Sequence, residues 1–401
     1  MHGIQGCVPL AAELLPPERQ PVIIAARRTP VCPVNGALRT LRAHELLAPV
    51  LRALVAELAL DPGSVADVVM GNAVGGGGNV ARLALLEAGL PVSVPGITVD
   101  RQCGSGLDAV ALASRLVAAG GSPLYLAGGV ESTSTAPLRA HRTDDGGPEF
   151  YRRAQFVPQS FGDPDMGVAA ETVAEQYGVG RERQDAFALA SHQKALAAIR
   201  DDRFVDELVP LETASETVST DGGPRRGLTP AIMGRFPAAF VPGGTVTAGN
   251  SCFDADAASA VVITSLERAR RLGARDGMLV RSAGTSGVDP QVLGVGAVPA
   301  AREALAAAGR TAADVDLVEF NEAFASQTLA CLDMLGIDPG RTNLDGGALA
   351  LGHAYGASGA VLVTRLLAQA RRAGTPGALG LAMISMAGGM GTAALLEYRR
   401  L

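Results

Sequence analysis

Short apolar runs and Ala/Leu-rich amphipathic runs alternate along most of this 401-residue chain, and that alternation constrains its fold more than any other feature. Pro21 to Ala26 reads as a strand, Ala43 to Leu58 as a helix, Val65 to Gly71 as a strand and Ala81 to Ala88 as a helix. A strand over 94–99, a helix over 104–119 and a strand over 124–128 follow. Strands separated by helices predict an α/β fold with parallel layers, because each crossover helix must cover a sheet face. Between about 132 and 243 the pattern breaks into Pro, Gly and charged residues around two helices, Ala169 to Tyr177 and Arg181 to Ile199. Insertions of this kind often carry substrate contacts. The alternation resumes near 278, and the length exceeds what one ordinary core accommodates. The predicted division is a loose tail over 1–20, an N-terminal α/β half over 21–131 and 244–277, an inserted loop domain over 132–243, and a C-terminal α/β half over 278–401.

The two halves echo each other. The first holds Cys103-Gly-Ser-Gly106, a helical run and a strand ending in Gly128-Gly129. The second holds Gly352-His353-Ala-Tyr-Gly356-Ala-Ser-Gly359, a helical run and a strand before Gly388-Gly389. Two similar βαβ units suggest a duplicated core whose reactive turns face one cleft.

Composition excludes several classes of partner. The net charge is −6 with no basic stripe, aromatics are scarce and Trp is absent, so neither a phosphate track nor a stacking platform for nucleic acid exists. Lys194 is the only lysine, which leaves phosphate contacts to arginine or backbone amides. No apolar run reaches the eighteen or so residues of a membrane span. Five widely spaced cysteines without a CxxC pair argue against a disulfide scaffold or zinc site and for a reducing compartment. Residues 1–20 lack a basic n-region, so a cytoplasmic location is expected.

The chemistry concentrates at two glycine-flanked turns. In Asp100-Arg-Gln-Cys103-Gly-Ser-Gly-Leu-Asp-Ala109 a cysteine sits between a strand-like run and a helix. Helix N-terminal amides there favour negative charge, which predicts a thiol more acidic than a free one. A buried structural cysteine is the alternative. His353 opens a helix at the second turn, where an imidazole can serve as base or donor. Asn321-Glu-Ala-Phe324 follows an apolar strand, where an amide can polarise a carbonyl or simply cap a helix.

The segments DRQCGSGLDA, NEAFA (321–325), GGALALGHAYGASG (346–359) and AGGMGTA (387–393), in this order, resemble the hallmark segments of the thiolases. Four spaced motifs in register are far more specific than one Gly-rich match. The resemblance implies two related α/β halves in a five-layer arrangement, with an inserted loop domain that binds CoA. It implies an acyltransferase acting on coenzyme A thioesters, with no separate cofactor or metal, assembled as a homodimer or homotetramer. By the same resemblance Cys103 accepts the acyl group and His353 activates it. Asn321 and His353 then form one oxyanion hole, and the backbone amides of Cys103 and Ala387 form the other. Arg225, Ser251, Cys252, Met166 and Phe324 fall at positions expected to contact CoA or the acyl chain.

One position departs from the family pattern. Thiolases carry a second cysteine where this chain has Ser385, and the last cysteine in the sequence is Cys331. A hydroxyl is far less acidic than a thiol of ordinary pKa near 8.5, so the proton transfer at the substrate α-carbon is expected to suffer. The resemblance therefore implies thiolytic cleavage or Claisen condensation through a Cys103 acyl-enzyme, in fatty acid metabolism. A decarboxylating condensing enzyme, a thioester hydrolase and a non-catalytic CoA-ester-binding protein are the alternatives.

Overall fold

The computed structural model describes residues 15–120 and 124–401. The N-terminal half opens with strands β1 (Pro21–Arg28) and β2 (Cys32–Pro33), helix α1 (Ala43–Glu57), β3 (Asp67–Gly71) and α2 (Val80–Glu87). It continues through β4 (Gly96–Val99), α3 (Ser105–Ala118) and β5 (Leu124–Ser132). The inserted stretch contains two small hairpins, β6 (Ala140–Arg142) with β7 (Pro148–Phe150) and β8 (Leu211–Glu212) with β9 (Thr217–Val218). Its helices are α4 (Met166–Gln176), α5 (Arg181–Arg200) and α6 (Pro230–Met233). After it come β10 (Ala255–Ser265), α7 (Leu266–Arg271), β11 (Asp276–Gly287), α8 (Ala297–Ala307) and β12 (Leu317–Phe320). Helices α9 (Ala325–Leu335), α10 (Ala348–Leu351) and α11 (Tyr355–Ala373) and strands β13 (Leu379–Met386) and β14 (Met390–Arg400) complete the chain.

The strands run in the order β12-β13-β14-β11-β1-β10-β5-β3-β4. Only two residue pairs, Val22 with Leu279 and Ile23 with Met278, join β1 to β11, so this continuous ladder consists of two sheets meeting at one seam. Every residue of β5 and of β10 is buried, the signature of strands covered on both faces. Helices α1 and α2 cover the outer face of the first sheet through Leu46, Leu47, Leu51, Leu54 and Leu85. Helices α3 and α11 fill the space between the sheets, and α8 and α9 cover the outer face of the second. The result is five layers, with α3 and α11 as the central one.

The ladder is mixed rather than parallel throughout. Among the described residues only β3 with β4, β3 with β5 and β12 with β13 are parallel. Strands β13 and β14 are joined by Ala387-Gly388-Gly389, and so short a link can make only an antiparallel pair. The expected strand over 94–99 begins at Gly96, because Val94 closes a turn onto the Pro91 carbonyl and Pro95 has no N–H for a ladder. The strand expected over 124–128 runs on through Ser132, with its glycines inside. Residues 15–20, expected as part of a loose tail, are tied down: Arg19 Nε donates to the Ala118 carbonyl and Leu266 N to that of Gln20. The remainder of that tail, 1–14, lies outside the described residues.

The insert is anchored by buried charge. Arg28 of β1 donates to Glu207 at 2.7 Å and, in bidentate fashion, to Asp221 at 2.7 and 2.9 Å. Arg365 of α11 reaches Glu207 and Asp345, and the Arg28 and Arg365 guanidinium groups lie 5.0 and 4.4 Å from the centre of the Phe204 ring. Removing one partner of such a cluster leaves an uncompensated buried charge and costs about 3–5 kcal/mol. Among the described residues no helix is long and apolar enough to cross a membrane.

Candidate active site

Glycines bring the two reactive turns together. A Cβ at Gly106 would lie 2.5 Å from the Gly356 carbonyl oxygen, one at Gly129 only 1.9 Å from the same atom, and one at Gly359 2.5 Å from the Leu107 amide. The start of α11 can therefore press onto the start of α3 and onto β5 only because these positions carry no side chain. Glu131 fixes the contact, accepting from Ala73 N at 2.9 Å, Gly356 N at 3.0 Å and the Asn72 amide at 2.7 Å. Burial pushes its carboxyl up to about 7.

Cys103 lies two residues before α3, following Gln102 at φ +50°, a conformation a non-glycine side chain adopts only under constraint. The turn is closed by Ser105 Oγ, which donates to the Gln102 carbonyl and accepts from Arg101 N at 2.8 Å. The backbone amides of Ala387 and of Cys103 itself point at the thiol and favour its ionised form, yet burial outweighs them and pushes the thiol up to about 12. Burial thus opposes the acidic thiol that the sequence predicts, because two amides do not compensate for removing a thiolate from water.

His353 is buried, and burial pushes its imidazole down to about 4, so it is neutral at pH 7. Its Nδ1 pairs with Ser358 Oγ at 2.8 Å, while Nε2 has no partner among the described residues. A hydroxyl can accept from or donate to Nδ1, so Ser358 permits both tautomers: Nε2 can receive a proton or, carrying one, donate it. The Asn321 side-chain nitrogen likewise is buried without a partner among the described residues. Two such unspent groups at a cleft suit a ligand oxygen.

Glu322 sets the position of Asn321. It is buried and accepts from Ser191 Oγ at 2.7 Å, Asn343 Nδ2 at 2.7 Å and Leu349 N at 3.2 Å. The Asn321 loop is thereby locked to helix α5 of the insert and to the segment leading to His353. The spacing Gly-His-x-x-x-x-Ser could have drawn attention to Ser358, five residues past His353 at a helix start, but nothing in the sequence marks Glu322 beyond its place in NEAFA.

Ser385 Oγ donates to the Gly294 carbonyl at 2.7 Å and accepts from Ala297 N, at the start of α8, at 3.0 Å. Cys331, which sequence distance separates from Ser385, shares the same acceptor: its Sγ donates to Gly294 O at 3.3 Å. Burial pushes that thiol up to about 12, so Cys331 is a packed, protonated neighbour of Ser385.

The expected CoA contacts divide. Cys252 is half-buried, its amide donates to the Ala323 carbonyl, and burial together with Asp254 pushes its thiol up. Ser251 is buried with its hydroxyl donated to Thr247 O at 2.7 Å, so the fold itself consumes the group expected to meet substrate. Phe324 is half-buried and stacks edge-on against Phe240 at 5.9 Å. Met166 opens α4 beside Gly167, whose missing Cβ leaves room for the Phe240 ring. Arg225 is exposed, its guanidinium 5.8 Å over the Phe253 ring and its amide donated to buried His192 at 3.1 Å.

Comparison with known proteins agrees with this architecture. Residues 21–267 match the thiolase N-terminal domain and residues 277–398 the thiolase C-terminal domain. The chain is 42% identical over 380 residues to VraB of Staphylococcus aureus MRSA252, a protein provisionally named an acetyl-CoA C-acetyltransferase, with 94% of this chain and 98% of that protein covered. VraB of Staphylococcus epidermidis ATCC 12228, named likewise, is 43% identical over 383 residues with the same coverage. A crystal structure of the Bacillus anthracis acetyl-CoA acetyltransferase superposes with a TM-score of 0.87 at 34% identity, covering 95% of this chain and 99% of that one. Matched almost end to end in sequence and in fold, the chain belongs to the thiolase family of acyltransferases.

Proposed function

We propose that the protein transfers acyl groups between coenzyme A thioesters, the activity named for its staphylococcal and Bacillus relatives, and that it does so through a Cys103 acyl-enzyme. One observation carries the reading: the unpartnered His353 Nε2 and Asn321 Nδ2 beside a turn whose thiol already faces the Ala387 amide. In the first half-reaction the Cys103 sulfur attacks the thioester carbonyl as its proton passes to His353 Nε2. The carbonyl oxygen, gaining negative charge, is met by the backbone amides of Cys103 and Ala387, and the proton then goes to the departing CoA sulfur. The second half-reaction requires charge on the oxygen of a second thioester, which Asn321 Nδ2 and His353 Nε2–H would share. The exposed Arg225 and half-buried Cys252, Phe324 and Met166 would line the path of the CoA arm.

The carbon–carbon step depends on Ser385, whose hydroxyl is committed to Gly294 and Ala297. Acyl exchange therefore proceeds more readily than condensation or cleavage. Incubation with acetoacetyl-CoA and CoA, with the CoA esters separated by chromatography, tests this. Slow acetyl-CoA formation with rapid exchange of labelled CoA into the ester supports the reading, and absence of both refutes it.

A further inference from the structure

The turn carrying His353 holds a second anomaly. Tyr355, the first residue of α11, adopts φ +25°, a region where a bulky side chain is strained. Strained residues persist only where their surroundings over-determine them, and they concentrate at functional sites. Here the phenol donates to Asp254 Oδ1 at 2.5 Å, and its ring meets the His353 imidazole edge-on with centroids 5.1 Å apart. A backbone bridge between Asp254 and His353 closes the unit from behind. His353, Ala354 and Gly356 are buried, whereas Tyr355 is half-buried and Asp254 exposed, so the phenol and the carboxylate lie between the buried His353 and solvent. The charge of Asp254 is felt at Cys103, Cys252 and the Tyr355 hydroxyl alike. No ion pair to Asp254 forms among the described residues, and the Arg225 guanidinium lies over the Phe253 ring.

We propose that Tyr355 and Asp254 form a selectivity element of the acyl site, a phenol locked to an unpaired carboxylate that admits uncharged acyl groups and rejects acyl groups ending in a carboxylate. The element works by repulsion: binding of a dicarboxylic thioester forces two like charges into one cleft, while a neutral chain of equal length meets only the phenol ring. The proposal rests on acyl transfer to Cys103 and specifies which substrates that transfer accepts.

Butyryl-CoA and succinyl-CoA, each with four acyl carbons, separate charge from size. The second-order rate of Cys103 acylation by each is followed by intact-protein mass. Wild type should acylate from butyryl-CoA about tenfold or more faster than from succinyl-CoA, the scale of like-charge exclusion. High salt should narrow the gap in wild type, because an exposed charge is screened. Asp254→Asn should raise the succinyl-to-butyryl ratio about tenfold, by the same reasoning. Equal rates in wild type, or a ratio that neither salt nor Asp254→Asn moves, overturn the proposal and leave acyl transfer standing. Failure of both thioesters to modify Cys103 overturns the acyl-transfer reading and the selectivity with it.

Discussion

Cys103 and His353 should both be uncharged in the free enzyme, unlike the thiolate–imidazolium pairs of many cysteine enzymes. Burial holds the thiol near 12 and the imidazole near 4. Passing the proton from sulfur to Nε2 in an empty cleft runs against both of these burial effects at once, on the order of 10 kcal/mol at about 1.36 kcal/mol per unit. Attraction between the resulting ions returns only about 4 kcal/mol at contact distance with an effective dielectric near 20. The neutral pair wins by several kcal/mol, and ionisation waits for a bound carbonyl to take up the charge. Iodoacetamide alkylation, which follows the thiolate, reads this directly when the Cys103 peptide is quantified by mass spectrometry as a function of pH. The expected profile rises about tenfold per pH unit through neutrality, with no plateau below pH ~9. A sigmoid with an apparent pKa at or below ~7 would refute the reasoning, because it would reveal a preformed ion pair.

Further expectations follow from the same geometry. Ser385→Cys should raise acetoacetyl-CoA thiolysis by about 10²-fold or more if the hydroxyl limits proton transfer, while acyl exchange changes little; equal effects on both would contradict this. Ser358→Ala strips His353 Nδ1 of its partner and should lower exchange about tenfold, near the 1.4 kcal/mol of one hydrogen bond, with thermal stability less affected than activity. His192 is held neutral near 4 by burial and by the charge of Arg225, against an ordinary 6.5. The unfolded chain takes up that proton first as pH falls, so stability drops between pH 6.5 and 4, by on the order of a few kcal/mol. Urea unfolding at pH 7 and 5 should show His192→Gln losing less stability on acidification than wild type.

Much of this was legible in the sequence because it is written in local pattern. The α/β alternation follows from apolar periodicity, and the paired turns at Cys103 and His353 from glycines that allow two backbones to touch. What escaped is what folding brings together across long sequence separations. Cys331 and Ser385 meet at one carbonyl because α9 and β13 pack in the same layer interface, and no spacing rule encodes that. Asp254 and Tyr355 lie 101 residues apart, and the ion cluster joining Arg28 to Asp221 spans 193. The acidity of the Cys103 thiol is illegible in the sequence for a related reason. Helix-terminal amides are visible in the sequence pattern, whereas the degree of burial that opposes them is a property of the packed molecule.

The most direct test of the account is to mix the protein with acetyl-CoA, quench within one turnover, and map the added mass by peptide. One acetyl group on the peptide containing Cys103, absent in Cys103→Ser and greatly slowed in His353→Ala, is the predicted result. Turnover of acetyl-CoA without any label on Cys103 would contradict it.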